Sequence, residues 1–154
     1  MKSSQIIAVC MVFAVLLLSG RSARAFLGGR ADSVSKDHQA FKTVQRSTTA
    51  LNGYRVEEVV YEATSVREFV SPAGIVFAIA WNGYVHPELT QLLGSYWDEY
   101  STAQQKGLRK PGSRRLKLAT DNIVVEKWGH MRNLHGRAYV PALVPEGLST
   151  DEIK

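Results

Sequence analysis

The stretch from 65 to 105, SVREFVSPAGIVFAIAWNGYVHPELTQLLGSYWDEYSTAQQ, decides the fold because its hydrophobic period changes once along its length. Ser65 to Val70 is rich in β-branched and aromatic residues and reads as a strand. Ser71-Pro72-Ala73-Gly74 follows as a turn, where proline presets φ at the first corner and glycine accepts a positive φ at the exit. Ile75 to Trp81 is apolar throughout, with large Ile75, Phe77, Ile79 and Trp81 alternating with smaller Val76, Ala78 and Ala80. That pattern predicts a central strand covered on both faces, with a helix approaching the smaller side chains. The period then lengthens. From Pro87 to Gln105, Leu89, Leu92, Leu93, Tyr96, Trp97, Tyr100 and Ala103 recur at three- and four-residue steps, which predicts one amphipathic helix. Pro87 is expected in its first turn, Glu88 at the positive end of its dipole, and Gly107 and Pro111 beyond its end. Gly94 costs about 1 kcal/mol against alanine in a helix interior, so its presence suggests close backbone packing against the sheet.

Working outward, Tyr54–Tyr61 reads as another strand, and Arg114–Ala119, Ile123–Trp128 and His130–Tyr139 as three more. Asp121-Asn122 and Gly129 are the expected turn points. Upstream, Phe26–Arg30 reads as a flexible start, Asp32–Val44 as a weak helix and Ser47–Gly53 as a polar connector. Pro141 and Pro145 punctuate an irregular tail. The order implies an α+β domain at 54–154, an antiparallel sheet of five or six strands with one long helix across a face, preceded by an N-terminal segment at 26–53.

The first 25 residues have the layout of a cleavable signal peptide: Lys2, an apolar run from Ile6 to Leu18, and Ala23-Arg24-Ala25, with cleavage expected after Ala25. The 13-residue run is shorter than the roughly 20 residues that span a bilayer, so no integral membrane anchor is expected. Val9 precedes Cys10 where a lipoprotein signal needs a small residue. Cleavage removes Lys2, Arg21 and Arg24 of the 19 basic residues and no acid, leaving 16 against 14. It also removes the single cysteine, which excludes a disulfide framework and a cysteine nucleophile in the mature chain. A charged fraction of 21% and an aromatic fraction of 9% exclude a disordered or collagenous chain.

Three segments carry a resemblance. VREFVSPAGIVFAIAWNGYVHPELTQLLGSYWDEY at 66–100, VVEKWGHMRNLHGRAYVPALVPEGLSTDEIK at 124–154, and Leu27-Gly28-Gly29 just after the expected cleavage site resemble a family of secreted proteobacterial proteins, the domain of unknown function 2844. The resemblance implies an exported, periplasmic or secreted protein. It implies no activity, cofactor or catalytic residue, and it does not include the stretch 106–117.

No nucleophile elbow, zinc-protease helix, phosphate loop or dinucleotide fingerprint occurs. His130 and His135, read on one strand, fall on opposite faces, while His86 stands at a helix start and His38 in the weak helix. No metal or cofactor site is assigned to them. Adjacent Glu57 and Glu58 point apart, as do Asp98 and Glu99, which makes them poor acid/base partners. Glu57 and Glu58 are expected on a solvated strand face, paired to Arg67. Glu126 and His130 lie about 13 Å apart along one strand, too far for a joint proton transfer. The chain therefore leans away from catalysis, with no catalytic residues assigned.

The distinctive charge feature is 106–117, where Lys106, Arg109, Lys110, Arg114, Arg115 and Lys117 stand without an acid. Such a stretch attracts polyanions, and outside the cytoplasm those are lipid headgroups, lipopolysaccharide phosphates or wall polymers. It holds no aromatics for base stacking, so nucleic acid is not the expected partner. The leading expectation is a non-enzymatic binding protein of the envelope, contacting another envelope protein or an anionic component through Arg109, Lys110, Arg114 and Arg115. The alternative is a carrier of a small apolar ligand, with a pocket between helix and sheet near Trp81 and Trp97.

Overall fold

In the computed structural model, which describes residues 26–31, 43–61, 63–107 and 114–154, seven strands form one sheet. They are β1 (Thr43–Leu51), β2 (Tyr54–Tyr61), β3 (Thr64–Val70), β4 (Val76–Gly83), β5 (Arg115–Ala119), β6 (Val124–His130) and β7 (Asn133–Tyr139). The order is β1-β2-β3-β4-β7-β6-β5, and every pairing is antiparallel. The expected signal peptide, most of the weak helix with His38, and Arg109 and Lys110 lie outside the described residues.

The sheet exceeds the expected five or six strands by β1, which occupies the supposed polar connector and the last residues of the supposed helix. Residues Gln45 to Leu51 are exposed on both faces, so no apolar alternation marks them. They are held by backbone pairing to β2 through the two-residue turn Asn52-Gly53, where Gly53 takes a φ of +87°. At the opposite end, β6 and β7 join at Met131-Arg132 rather than at Gly129, which lies inside β6.

β4 lies at the centre and is buried over Val76–Trp81. One extra residue separates the pairs Val70–Val76 and Phe69–Ala78, a bulge that reverses the alternation within the strand. Val76, Ile79 and Trp81 consequently join one core cluster, and Phe77, Ala78 and Ala80 the other. The helix covers the large side chains Ile79 and Trp81, not the alanine face as the unbroken alternation predicted.

The helical stretch runs from Leu89 to Lys106 as α1 (Leu89–Leu93), a 3-10 turn at Gly94–Tyr96 and α2 (Trp97–Lys106). All seven residues of the predicted stripe lie in the cluster on this face. Glu88 is the N-cap, its carboxylate accepting from the Thr90 amide at 3.4 Å, and Pro87 precedes the first turn. The break at Gly94 has a local cause. Its φ is +52°, and a Cβ there would sit 2.4 Å from the Phe26 ring, so the glycine admits Phe26 rather than the sheet.

Phe26–Arg30, expected to be flexible, is bonded into the fold. The Leu27 amide donates to the Leu92 carbonyl at 2.9 Å, and Gly28 and Gly29 exchange hydrogen bonds with Val76 at 2.8 and 2.9 Å. Leu27 is fully buried. The opposite sheet face is covered by residues 141–154, where Leu143, Val144 and Leu148 pack on the second cluster and Ile153 is fully buried within it. The fold is thus α+β, with the helix on one face and a strap on the other. Among the described residues, no helix is long and apolar enough to cross a membrane.

Candidate functional site

β5 is the strand through which the basic stretch enters the sheet, and it forms one edge. Alternation puts Leu116 and Leu118 on the helix side, where Leu118 is buried in the first cluster, whereas Arg115 and Lys117 are exposed. Pairing aligns Lys117 with Glu126 on β6 and Glu126 with Arg137 on β7. These three side chains meet: Lys117 Nζ lies 2.9 Å from Glu126 Oε1, and Arg137 Nη2 lies 2.6 Å from Glu126 Oε2. Burial pushes the Glu126 carboxyl up, but hydrogen bonds and charge from Lys117 and Arg137 outweigh it and hold the group below its ordinary value. Glu126 is therefore an ionised partner of two cations.

The next cross-strand row is Arg115, Trp128 and His135. The Trp128 and His135 rings are parallel to within 9° at 5.9 Å, and the Arg137 guanidinium lies 6.0 Å from the Trp128 ring. Arg137 also donates to the carbonyls of Thr150 and Ile153, pinning the strap beside β7. Between strap and edge lies an open cleft of about 360 Å³. Its floor is Glu126, Trp128 and Arg137; its walls include Arg115, Leu116 and Lys117 on one side, and Asp151 and Lys154 on the other. Lys127 completes the lining and donates to the Tyr100 hydroxyl at 2.7 Å.

These elements fall within one span, since a family model described as a protein of unknown function (DUF2844) matches residues 23–153. The chain belongs to the DUF2844 family. The match takes in every strand, the helix and the strap as far as Ile153, and agrees with the resemblance carried by the turn, helix and strand segments. Comparisons with curated proteins and with solved structures find no match.

The other predicted residues of this DUF2844 chain are placed as follows. Arg114 lies just before β5 and Arg115 is its first residue, so half of the basic quartet is described. Trp81 and Trp97 join the same core cluster. Trp81 is buried, its indole NH donates to His86 Nδ1 at 3.0 Å, and its ring fills the space where Gly136 lacks a side chain. Burial, aided by the Lys127 charge, lowers the His86 pKa and so favours the neutral ring that accepts this bond. Trp97 packs on Tyr100, with ring centroids 5.7 Å apart.

His130 and His135 are on neighbouring strands of a hairpin, opposite Asn133 and Trp128, not on opposite faces of one strand. His135 Nε2 lies 2.7 Å from Asn133 Oδ1. Among the described residues, no group of three or more His, Cys, Asp or Glu side chains is arranged to hold a metal. Glu58 pairs with Arg67 at 3.9 Å as expected, but Glu57 is not on a solvated face. It is buried and held by Arg46 at 3.1 Å and Arg55 at 3.0 Å.

Directly across from Glu57 stands Glu68, also buried, whose Oε2 has no hydrogen-bond partner. Burial first, then the Glu57 charge, push its carboxyl up to about 7 against the opposing effect of Arg46. The sequence reading passed over this pair. Its signal was the register of the β2–β3 hairpin, in which Val59 opposes Val66 and hence Glu57 opposes Glu68.

Proposed function

We propose that this protein acts, after export and removal of its leader behind Ala25, as a non-enzymatic binding protein of the cell envelope. It engages an anionic envelope component through the β5 edge, with Arg109, Lys110, Arg114 and Arg115 as contacts. The observation that carries this reading is the concentration of cations at one open edge: the side chains of Arg115, Lys117, Arg137 and Lys154 line the cleft against the two carboxylates of Glu126 and Asp151, while Lys127 is turned to Tyr100. The acid in its floor supports binding rather than proton transfer, because Glu126 is committed to Lys117 and Arg137.

The reading is tested by reversing all four contact charges to glutamate and measuring co-sedimentation with isolated envelopes. Salt shortens the Debye length from about 10 Å at 0.1 M to about 3 Å at 1 M, so wild-type binding falls steeply across that range. The charge-reversed protein stays in the supernatant throughout. Wild-type binding that persists unchanged at 1 M salt overturns the reading. Native mass spectrometry of the exported protein checks the first step, a chain beginning at Phe26.

A further inference from the structure

The cleft beside β5 is more selective than a patch of positive charge. Arg115, Lys117 and Lys154 stand on its two walls, and their excess over Glu126 and Asp151 favours an anion. Yet a bare anion in this space faces two carboxylates. A ligand that also carries hydroxyl groups turns those carboxylates into hydrogen-bond acceptors, and charge-assisted bonds of that kind are the stronger ones. Trp128 adds apolar surface, which suits the C–H face of a sugar ring. An acyl chain meets the apolar surface and leaves the polar groups unmatched. The volume of about 360 Å³ lies at the lower end of the range of about 300–1,000 Å³ for small-ligand sites, room for a short saccharide.

We infer that the cleft is a subsite for an acidic sugar, a pyranose bearing a carboxylate or a phosphate. Its anionic group meets Arg115 and Lys117, its hydroxyls donate to Glu126 and Asp151, and its ring lies by Trp128. This rests on the anion-binding reading above and narrows it from any polyanion to a saccharide. Arg137 is the positioning residue, because it orients Glu126 from one side and holds the strap wall from the other.

The test titrates the exported protein with trigalacturonate, glucose 6-phosphate, maltotriose and inorganic phosphate by calorimetry, with tryptophan fluorescence in parallel. At least one acidic sugar binds, and which one assigns carboxylate or phosphate as the anionic group. Maltotriose and inorganic phosphate bind about tenfold more weakly or worse, and Arg115→Gln and Lys117→Gln each weaken the acidic sugar by about tenfold. Trp128→Phe removes the fluorescence response. Lys117 is 68% exposed, so its variant reports on binding even if Trp128→Phe fails to fold.

The inference is overturned if neither acidic sugar binds better than maltotriose and phosphate, or if binding is unchanged in both charge variants. Co-sedimentation with phosphatidylglycerol vesicles and with whole envelopes separates the two readings. Salt-sensitive binding there without acidic-sugar binding sinks the saccharide subsite and leaves the anion-binding reading standing; absence of both sinks both.

Discussion

Replacing Glu68 by Gln should stabilise the protein at pH 8 and leave it unchanged at pH 4. Glu68 is 4% exposed and lies opposite Glu57, and the pKa of its carboxyl is raised from 4.5 to about 7. Below 4.5 the group is protonated in folded and unfolded chains alike, so it carries no charge penalty. Between 4.5 and about 7 the unfolded chain releases the proton while the folded chain keeps it, and stability falls as pH rises. Above that window both states are charged and the full cost remains. At about 1.4 kcal/mol per pH unit, the gap from 4.5 to about 7 amounts to about 3 kcal/mol. Glutamine has the shape of the protonated acid and no charge to desolvate, so the variant gains most of that amount at pH 8. Denaturant unfolding of both proteins from pH 4 to pH 8.5 measures it, with the difference in free energy growing through the window. Parallel curves, or a variant that loses stability at pH 8, refute the reasoning.

Other perturbations follow from the packing. Gly94→Ala forces a side chain onto a φ of +52° and into the Phe26 ring, and should cost about 2–4 kcal/mol in equilibrium unfolding. Arg132 is the only described non-glycine residue with a positive φ, at 63°, so Arg132→Gly should raise stability by about 0.5–1 kcal/mol in the same assay. Ile153→Ala empties a fully buried site under the strap and should cost about 2–4 kcal/mol, with faster proteolysis confined to residues after Tyr139. No loss of stability in that variant would show that the strap contributes little to closing its face.

The elements that were legible are those whose side chains report their burial. The stripe from Leu89 to Ala103 marked the helix face, and the apolar run ending at Trp81 marked the central strand, because both positions are dictated by what they cover. β1 was illegible for the opposite reason: from Gln45 onward its side chains face solvent on both sides, and its strand conformation comes from the backbone ladder to β2. The bulge at Phe77 was equally silent, since one inserted residue inverts two faces without altering the apolar composition. The docking of Phe26–Ala31 was hidden in two glycines that looked unrelated: Gly94 admits Phe26, and Gly28, at a φ of +79°, packs so closely that a Cβ would lie 3.0 Å from the Tyr96 ring.

The cleft shows the same division between local and nonlocal information. The run of bases was visible along the chain, and the structure sets Arg114 and Arg115 at the start of the edge strand, exposed to solvent. What turns that run into a shaped site is in part the neighbouring hairpin strand and in part Arg137 and the strap, about 20 to 40 positions away, and no local pattern announces the latter. Arg137 is the connecting element. One guanidinium holds the charge of Glu126, lies against Trp128 and binds two carbonyls of the strap, so floor and far wall are fixed by the same group. Its placement follows from the β6–β7 register, which sets Glu126 opposite Arg137 and thereby brings a half-buried charge pair to the floor of an open cleft. Such a pair is costly to desolvate unless its remaining donors are satisfied, and here the strap carbonyls satisfy them. Docking of the strap and formation of the cleft are therefore one event: the contacts that close the second core are the contacts that give the basic edge its opposite wall.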